Sequence, residues 1–418
     1  MNFNIIAIKL RSKITKFSGI LSKKLDKTAC RFIREAIYGI MASQSVMLTE
    51  IGRQLESKIS LKKIEERFSR QLYKSEIWQH IHDSVLKMAR EHIKDDTLLI
   101  LDLSDIKKKY AEKMEYLAKV YDGSEEGEIV DGYWTTQVIA TEPDSNEIVP
   151  MYFSLYSQAS PDFISENEEI LKAINHVSKY TDNKGTWVID RGGDRDALYE
   201  SLLKNKRDFI IRLVGSRDLI YKGKAARSLW MGYACPLPYK ETIIKFKDGK
   251  EVLHHIQYGF LPVKLPGFKV PLTMVVVKGF DVKPMMLLTT IHPKSCQKDL
   301  FRVIRAYLKR WSIEDTIRFI KQTYDLENIR VLKYARLRNM MAILLAVFYF
   351  VAVILDQGQK LVIMTGHVLK IAKRVFGIPN FKYYAIGDGL SNIFKRFPGK
   401  IFELPDKIPV SQLKIEFG

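Results

Sequence analysis

Cysteine is scarce: the 418 residues hold three, Cys30, Cys235 and Cys296, far apart, odd in number and without a CxxC pair. Neither a disulfide framework nor a thiolate zinc site can organise such a chain, and a reducing compartment is the simplest setting. The first residues, MNFNIIAIKL, carry too short an apolar run for a secretory leader, and no small-residue cleavage site follows. Internal repeats and low-complexity segments are also missing, which excludes a stacked-repeat architecture. Acidic residues are in deficit, with 48 Asp and Glu against 67 Lys and Arg, for a net charge of +19. The cations are spread along the whole length. That balance suits a polyanionic partner, because each neutralised phosphate releases counterions; general solubility and contact with acidic lipid are the competing readings. Long uncharged runs are nearly absent as well. Met340–Leu355, MMAILLAVFYFVAVIL, is the exception, with 16 residues and no charge. It falls just short of a spanning helix, follows a dense Lys/Arg segment and precedes DQGQK. The expectation is a buried helix in a soluble protein with no membrane partner.

At roughly 100–200 residues per domain, the length suggests about two to four domains. Residues 1–28 hold seven cations against Asp26 alone and read as a basic arm. Four helical periods follow, FIREAIYGIMASQSV, LTEIGRQLE, LKKIEERFSRQLYK and EIWQHIHDSVLKMAREHI, with Ser60 and Ser75 placed to cap the last two. A short helix, the polar turn Glu56 to Ser60 and a basic helix are similar to a helix-turn-helix, and equally to an ordinary bundle. From residue 97 the texture changes. TLLILDLS reads as a buried strand ending in a carboxylate, YWTTQVIAT and IVPMYFSLY as a hairpin, and a helix is expected from about Asp162 to Tyr180. TWVIDR, ALYESLLKN and DFIIRLV then read as strand, helix and strand. This order predicts a mixed α/β core compatible with a ribonuclease H-like fold. Residues 215–296 read as an all-β insertion: ETIIKFK, VLHHIQYGFLPV, VPLTMVVVKG and PMMLLTTI alternate with Gly and Pro turns. The chain is helical again from Lys298 through the apolar run.

Asp102 is expected at the end of the first core strand and Asp190 at the end of the fourth, where an α/β sheet presents groups to a ligand. Two carboxylates brought together repel, and a divalent cation such as Mg²⁺ relieves that repulsion through hard oxygen ligands. Capping a helix or pairing with an arginine is the ordinary alternative. The segment AYLKRWSIEDTIRFIKQTYDLE is more specific. On one continuous helix at about 100° per residue, Tyr307, Arg310, Glu314 and Lys321 fall within an arc of roughly 60°. A carboxylate flanked by cations and a tyrosine suits a phosphodiester, with Arg as a bidentate fork and Lys as a point charge. A solvated face with helpful charge pairs would look similar. The spacing Tyr-x2-Arg-x3-Glu-x6-Lys is harder to dismiss, since chance would produce it in such a chain on the order of once in a hundred.

LLILDLSD, WVIDRGGD, the β-rich stretch 215–296 and YLKRWSIE together resemble the DDE transposases of bacterial insertion sequences, specifically the "IS four" family with its Tyr-Arg-Glu-Lys signature. The resemblance covers roughly residues 35–355. It implies Asp102, Asp190 and Glu314 as ligands of two Mg²⁺ ions (Mn²⁺ being possible), with Tyr307, Arg310 and Lys321 on DNA phosphate. Asp105 rivals Asp102, because LDLSD offers two carboxylates and departs from the family's usual Asp-Thr. Arg191 would contact phosphate or pair with a core carboxylate. Trp230 is a candidate to hold a flipped base, against ordinary core packing. The implied chemistry is two-metal cleavage at terminal inverted repeats and strand transfer into target DNA, by a homodimer on double-stranded DNA. The implied organisation is a basic arm and helical DNA-binding domain over 1–95 and a catalytic core over 96–214. The insertion fills 215–296, the core is completed over 297–355, and 356–418 serves dimerisation or DNA contact. The setting would be the bacterial cytoplasm, at the nucleoid. A nuclease that cuts without joining and a non-catalytic DNA-binding descendant are the alternatives.

Overall fold

Ala7, Leu10, Ile14, Phe17 and Leu21 recur at three- and four-residue intervals and are all buried, so the basic first segment is a packed helix and not an arm: α1 (Phe3–Leu21). The computed structural model describes residues 3–74, 76–121, 128–247, 250–293, 296–371 and 381–401. Its contacts divide the chain into two units. One joins Met1–Val85, Lys107–Glu115 and Phe319–Gly418; the other joins Leu86–Ile106 and Tyr116–Arg318.

The helical unit continues with α2 (Lys27–Ser43), α3 (Leu48–Arg53), α4 (Leu61–Gln71) and α5 (Glu76–Ala89). Asp26 caps α2 by accepting from the Ala29 amide at 2.9 Å. Ser60 stands at the N-terminus of α4 but its hydroxyl makes no capping bond. Ser75, the expected cap of α5, lies outside the described residues.

The second unit is built on one mixed sheet. Its strands are β1 (Leu98–Lys107), β2 (Ala118–Tyr121), β3 (Ile129–Thr141), β4 (Val149–Tyr156), β5 (Thr186–Ile189) and β6 (Asp208–Arg212), followed after a small hairpin by four more. Helices α6 (Glu166–Thr181) and α7 (Asp196–Lys204) lie between β4, β5 and β6 in the chain. The Ser165 hydroxyl caps α6, so this helix begins a few residues later than its composition suggests. The hairpin β7 (Asp218–Tyr221) and β8 (Lys224–Arg227) forms a separate two-stranded sheet. The segment 215–296 is not all-β, because Ser228–Ala234 forms a helix, α8, with Ser228, Met231 and Gly232 buried at helical spacing. The four later strands are β9 (Tyr239–Lys247), β10 (Lys250–Val263), β11 (Leu272–Lys278) and β12 (Met285–Thr289). They extend the main sheet in the order β2-β3-β1-β5-β6-β12-β11-β10-β9, with β4 also paired to β3. β1, β5 and β6 run parallel to one another, while β2 with β3, β3 with β4, β6 with β12, and β12, β11, β10 and β9 in turn pair antiparallel. The core strands are continuous apolar runs, as strands buried on both faces require. Leu98–Leu101, Thr186–Ile189 and Phe209–Ile211 are buried throughout.

After α9 (Cys296–Leu308), α10 (Trp311–Thr323) carries the chain back to the helical unit, which α11 (Tyr334–Tyr349), α12 (Gln357–Ile371) and α13 (Tyr383–Arg396) complete. α11 runs on through a wider turn, with the Leu355 amide bonded to the Phe350 carbonyl five residues back. Tyr334–Ile354 is long and apolar enough to cross a membrane, with a mean hydropathy of 2.1, yet 83% of its most apolar window is buried inside the structure. It is a core helix, as its flanking charges suggested.

Candidate active site

Leu101 of β1 pairs with Ile189 of β5, and Ile189 pairs with Ile211 of β6. The next residue on each chain segment is Asp102, Asp190 and Arg212, which therefore stand side by side at the carboxyl edge of three parallel strands. The expectation for Asp190 holds, since β5 ends at Ile189. Asp102 differs: β1 runs on to Lys107, beside β3, so Asp102 ends the pairing with β5 but not the strand. Asp102 and Asp105 are three apart on an extended strand and project to opposite faces. Asp102 lies 3.4 Å from Arg310 and feels the charges of Asp190 and Glu314.

Asp190 is fixed by a tight turn, Arg191–Gly193. One carboxylate oxygen accepts from the Gly192 amide at 2.7 Å. Side chains would obstruct this turn: a Cβ on Gly193 would stand 2.5 Å from Ile189 Cγ2, and one on Gly192 2.9 Å from the Asp190 carboxylate. The second carboxylate of WVIDRGGD has a different fate. Asp194 is fully buried, accepts from the Val214 amide at 2.7 Å and the Tyr199 hydroxyl at 3.1 Å, and pairs with Arg217 at 2.7 Å.

The signature does not lie on one helix. Between α9 and α10 the chain tightens, with Arg310 N bonded to Tyr307 O and Ser312 N to Lys309 O, three residues back in each case. Tyr307 thus belongs to the end of α9, Arg310 to the turn, and Glu314 to the first turn of α10. The three remain together. The Arg310 guanidinium lies 3.4 Å from Asp102 Oδ2 and 2.5 Å from Glu314 Oε1. Burial works against its charge, but Asp102 and Glu314 outweigh that and raise its pKa. Tyr307 is buried, which pushes its phenol up; it hydrogen-bonds Arg212 and feels Arg310 and Asp190 as well. Lys321 lies farther along α10, in the helical unit, 3.4 Å from Glu327. Arg191 is exposed. Trp230 is 72% exposed on α8, which overturns core packing as its explanation.

Burial, and then the Asp190 charge, raise the Asp102 carboxyl to about 7, with Arg310 opposing and Glu314 adding to the rise. Among the described residues no three His, Cys, Asp or Glu side chains stand close enough to share an ion. The carboxylates interact through their charges, while Arg310 stands bonded to two of them. The donor set fits a divalent cation chemically, being hard oxygens whose mutual repulsion a cation relieves. Arg212 was not legible from residue types. Its position at the end of FIIR is visible, but its place beside Asp190 depends on strand order, which a single sequence does not display.

A family model described as the transposase DDE domain matches residues 93–350, more than half of the chain. The chain belongs to the DDE transposase family. The transposase catalyses DNA cleavage and strand transfer and binds DNA, and its family generally uses divalent metal ions. Among solved structures, a piggyBac transposase synaptic complex with hairpin DNA is similar at 12% identity and a TM-score of 0.43, over 97% of this chain and 86% of that one. No curated protein matches the chain.

Proposed function

We propose that this transposase is a cut-and-paste enzyme of the "IS four" type that acts at terminal inverted repeats with two magnesium ions. The observation that carries the reading is Arg310, from the α9–α10 turn, in contact with both Asp102 and Glu314, with Asp190 beside Asp102 by strand register and acting on it through its charge. Asp102, Asp190 and Glu314 would hold the ions; manganese would serve the same oxygens. When bound, such ions stabilise the attacking and leaving oxygens of an in-line displacement at phosphorus.

Hydrolysis breaks the P–O3′ bond at the element's end, with water supplying hydroxyl to phosphorus and a proton to the 3′ oxygen. In strand transfer that 3′-hydroxyl forms a new bond to a target phosphorus, and the target's own 3′ oxygen leaves with the proton. Around this chemistry Arg310 and Arg212 bind phosphate through their planar forks, Tyr307 donates its hydroxyl to a phosphate oxygen, and Lys321 and Arg191 act on the flanking backbone. Trp230, exposed on α8, offers a ring to an unpaired base. The core has a ribonuclease H-like arrangement interrupted by residues 215–296. α3, the following turn and α4, with Lys62, Lys63 and Arg70 exposed, read the repeats as a helix-turn-helix. A homodimer at the bacterial nucleoid, holding both ends, completes the proposal.

Cleavage and joining of a labelled duplex bearing the element's own terminal repeat, with and without Mg²⁺, test it. Glu314→Gln keeps shape and removes charge. The wild type should cut at the repeat boundary and join the end to target only with metal, while the variant binds equally and is about a hundred- to a thousandfold slower, as loss of a principal electrostatic group implies. Equal binding with cutting by neither protein would sink the assignment.

A further inference from the structure

One face of β9–β11 carries ordered rows of side chains that the chemistry above leaves unused. Leu253 pairs with Ile244, His255 with Thr242, and Gln257 with both Lys240 and Lys278. Cross-strand partners project to the same side, and this side faces solvent: Ile244 and Leu253 are 54% and 56% exposed, and Lys240, Thr242, His255 and Gln257 are exposed too. The alternate residues Ile256 and Tyr258 are buried. Successive rows therefore offer an apolar pair, a hydrogen-bonded Thr242–His255 pair at 3.0 Å, and two lysines flanking a glutamine. A groove of about 620 Å³ lies over the two polar rows. Glu241, its one carboxylate among the described residues, belongs by strand alternation to the opposite side, where its charge acts on the Tyr258 hydroxyl. Lys278 connects the rows to α8: its ammonium lies 5.6 Å from the ring of the half-exposed Tyr233, one turn from Trp230.

We propose that this face binds an unpaired stretch of DNA strand. Lys240 and Lys278 take phosphates, Gln257, Thr242 and His255 take base edges, and Tyr233 is a stacking surface. Lysines with no facing carboxylate among the described residues select a polyanion. The exposed ring and apolar pair add a preference that charge alone does not give, because they reward bases whose faces are open, and a duplex keeps those faces stacked. The proposal rests on the reading of the enzyme as one that opens and transfers DNA strands, but it concerns binding, away from the carboxylates.

Binding of the full chain to a labelled oligothymidylate and to a duplex lacking the terminal repeat, across a range of salt concentrations, is the test. Lys240→Ala/Lys278→Ala should lose about tenfold or more in single-strand affinity. Its slope of log K against log salt should fall by about 1.4, at about 0.7 per phosphate contact removed. Tyr233→Leu should lose about tenfold with the slope unchanged. Both variants should keep the wild-type melting temperature and still cut the terminal-repeat duplex, and Lys240→Arg/Lys278→Arg should retain binding. Unchanged single-strand affinity and slope would overturn the proposal, as would an equal loss on duplex and single strand. If the wild type fails to cut while the variants lose single-strand binding selectively, the catalytic reading falls and the platform stands.

Discussion

Two aspartates four residues apart in WVIDRGGD have opposite fates, and their surroundings say why. Asp190 accepts from a backbone amide with one oxygen, and its charge acts on Asp102. Asp194 is enclosed, and the Arg217 guanidinium, the Tyr199 hydroxyl and the Val214 amide surround it. Removing one partner of a buried pair leaves an uncompensated charge, which costs more than the pair contributes. Asp194→Ala should therefore destabilise the protein by about 3–5 kcal/mol, read as a lowered denaturant midpoint at an unchanged m-value. Glu314→Gln, at a half-exposed position with Arg310 still able to reach Asp102, should leave the midpoint nearly where it was. If Asp194→Ala were the neutral change, the division between structural and site carboxylates would be wrong. Residue types alone could not make this division, since both aspartates follow the same strand. That Asp102 and Asp105 fall on opposite faces became visible only once β1 was seen to run past both.

At the scale of elements, what could be read from the chain were apolar runs closed by carboxylates and turns marked by Gly or Pro. Thus β1, β5 and β6 and the hairpin β3–β4 stand where LLILD, TWVID, DFIIR and the EPDSNE turn put them. The break between α9 and α10 has no such mark: from Arg305 to Thr316 there is neither proline nor glycine. The helical periodicity on both sides hides it. α8 and β2 were too short for a period to register, at seven and four residues. β3 lies against β1 at Gly132, where a Cβ would stand 2.3 Å from the Ile106 carbonyl oxygen. Backbone cannot yield as a flexible side chain can, so Gly132→Ala must push β3 off the strand that carries Asp102. The expected result is a loss of about 1–3 kcal/mol, as overpacking in a close-packed interior costs. Cleavage at a temperature well below melting should fall along with stability. An alanine variant that melts and cuts like the wild type would show that the two strands tolerate a wider separation.

For the helical unit as a whole, the packing joins the first helices of the chain to its C-terminal ones. Every residue of α2 from Phe32 to Ala42 is buried, and a helix enclosed on all sides needs neighbours beyond its own hairpin. The C-terminal helices supply them. Tyr38 meets Phe394 at 4.9 Å between ring centres, Phe17 meets Phe350 at 5.6 Å, and Ser391 donates to the Ala42 carbonyl at 2.8 Å. Arg11 donates to Phe397 O at 2.8 Å, and Asn339 to the carbonyls of Leu72 and Lys74 at 2.7 Å each. None of this was legible, because residues 356–418 have mixed composition and no pattern links them to residues 1–95. A fragment ending at residue 95 would expose most of the apolar surface of α1 and α2 and leave buried polar groups without their partners. It should show helical circular dichroism without a cooperative thermal transition. Coexpression with a fragment beginning at Phe319, which carries α11 to α13, should restore that transition. A fragment of residues 1–95 that melts cooperatively alone would mean the first helices fold as an independent domain, and the C-terminal contacts would then only decorate it.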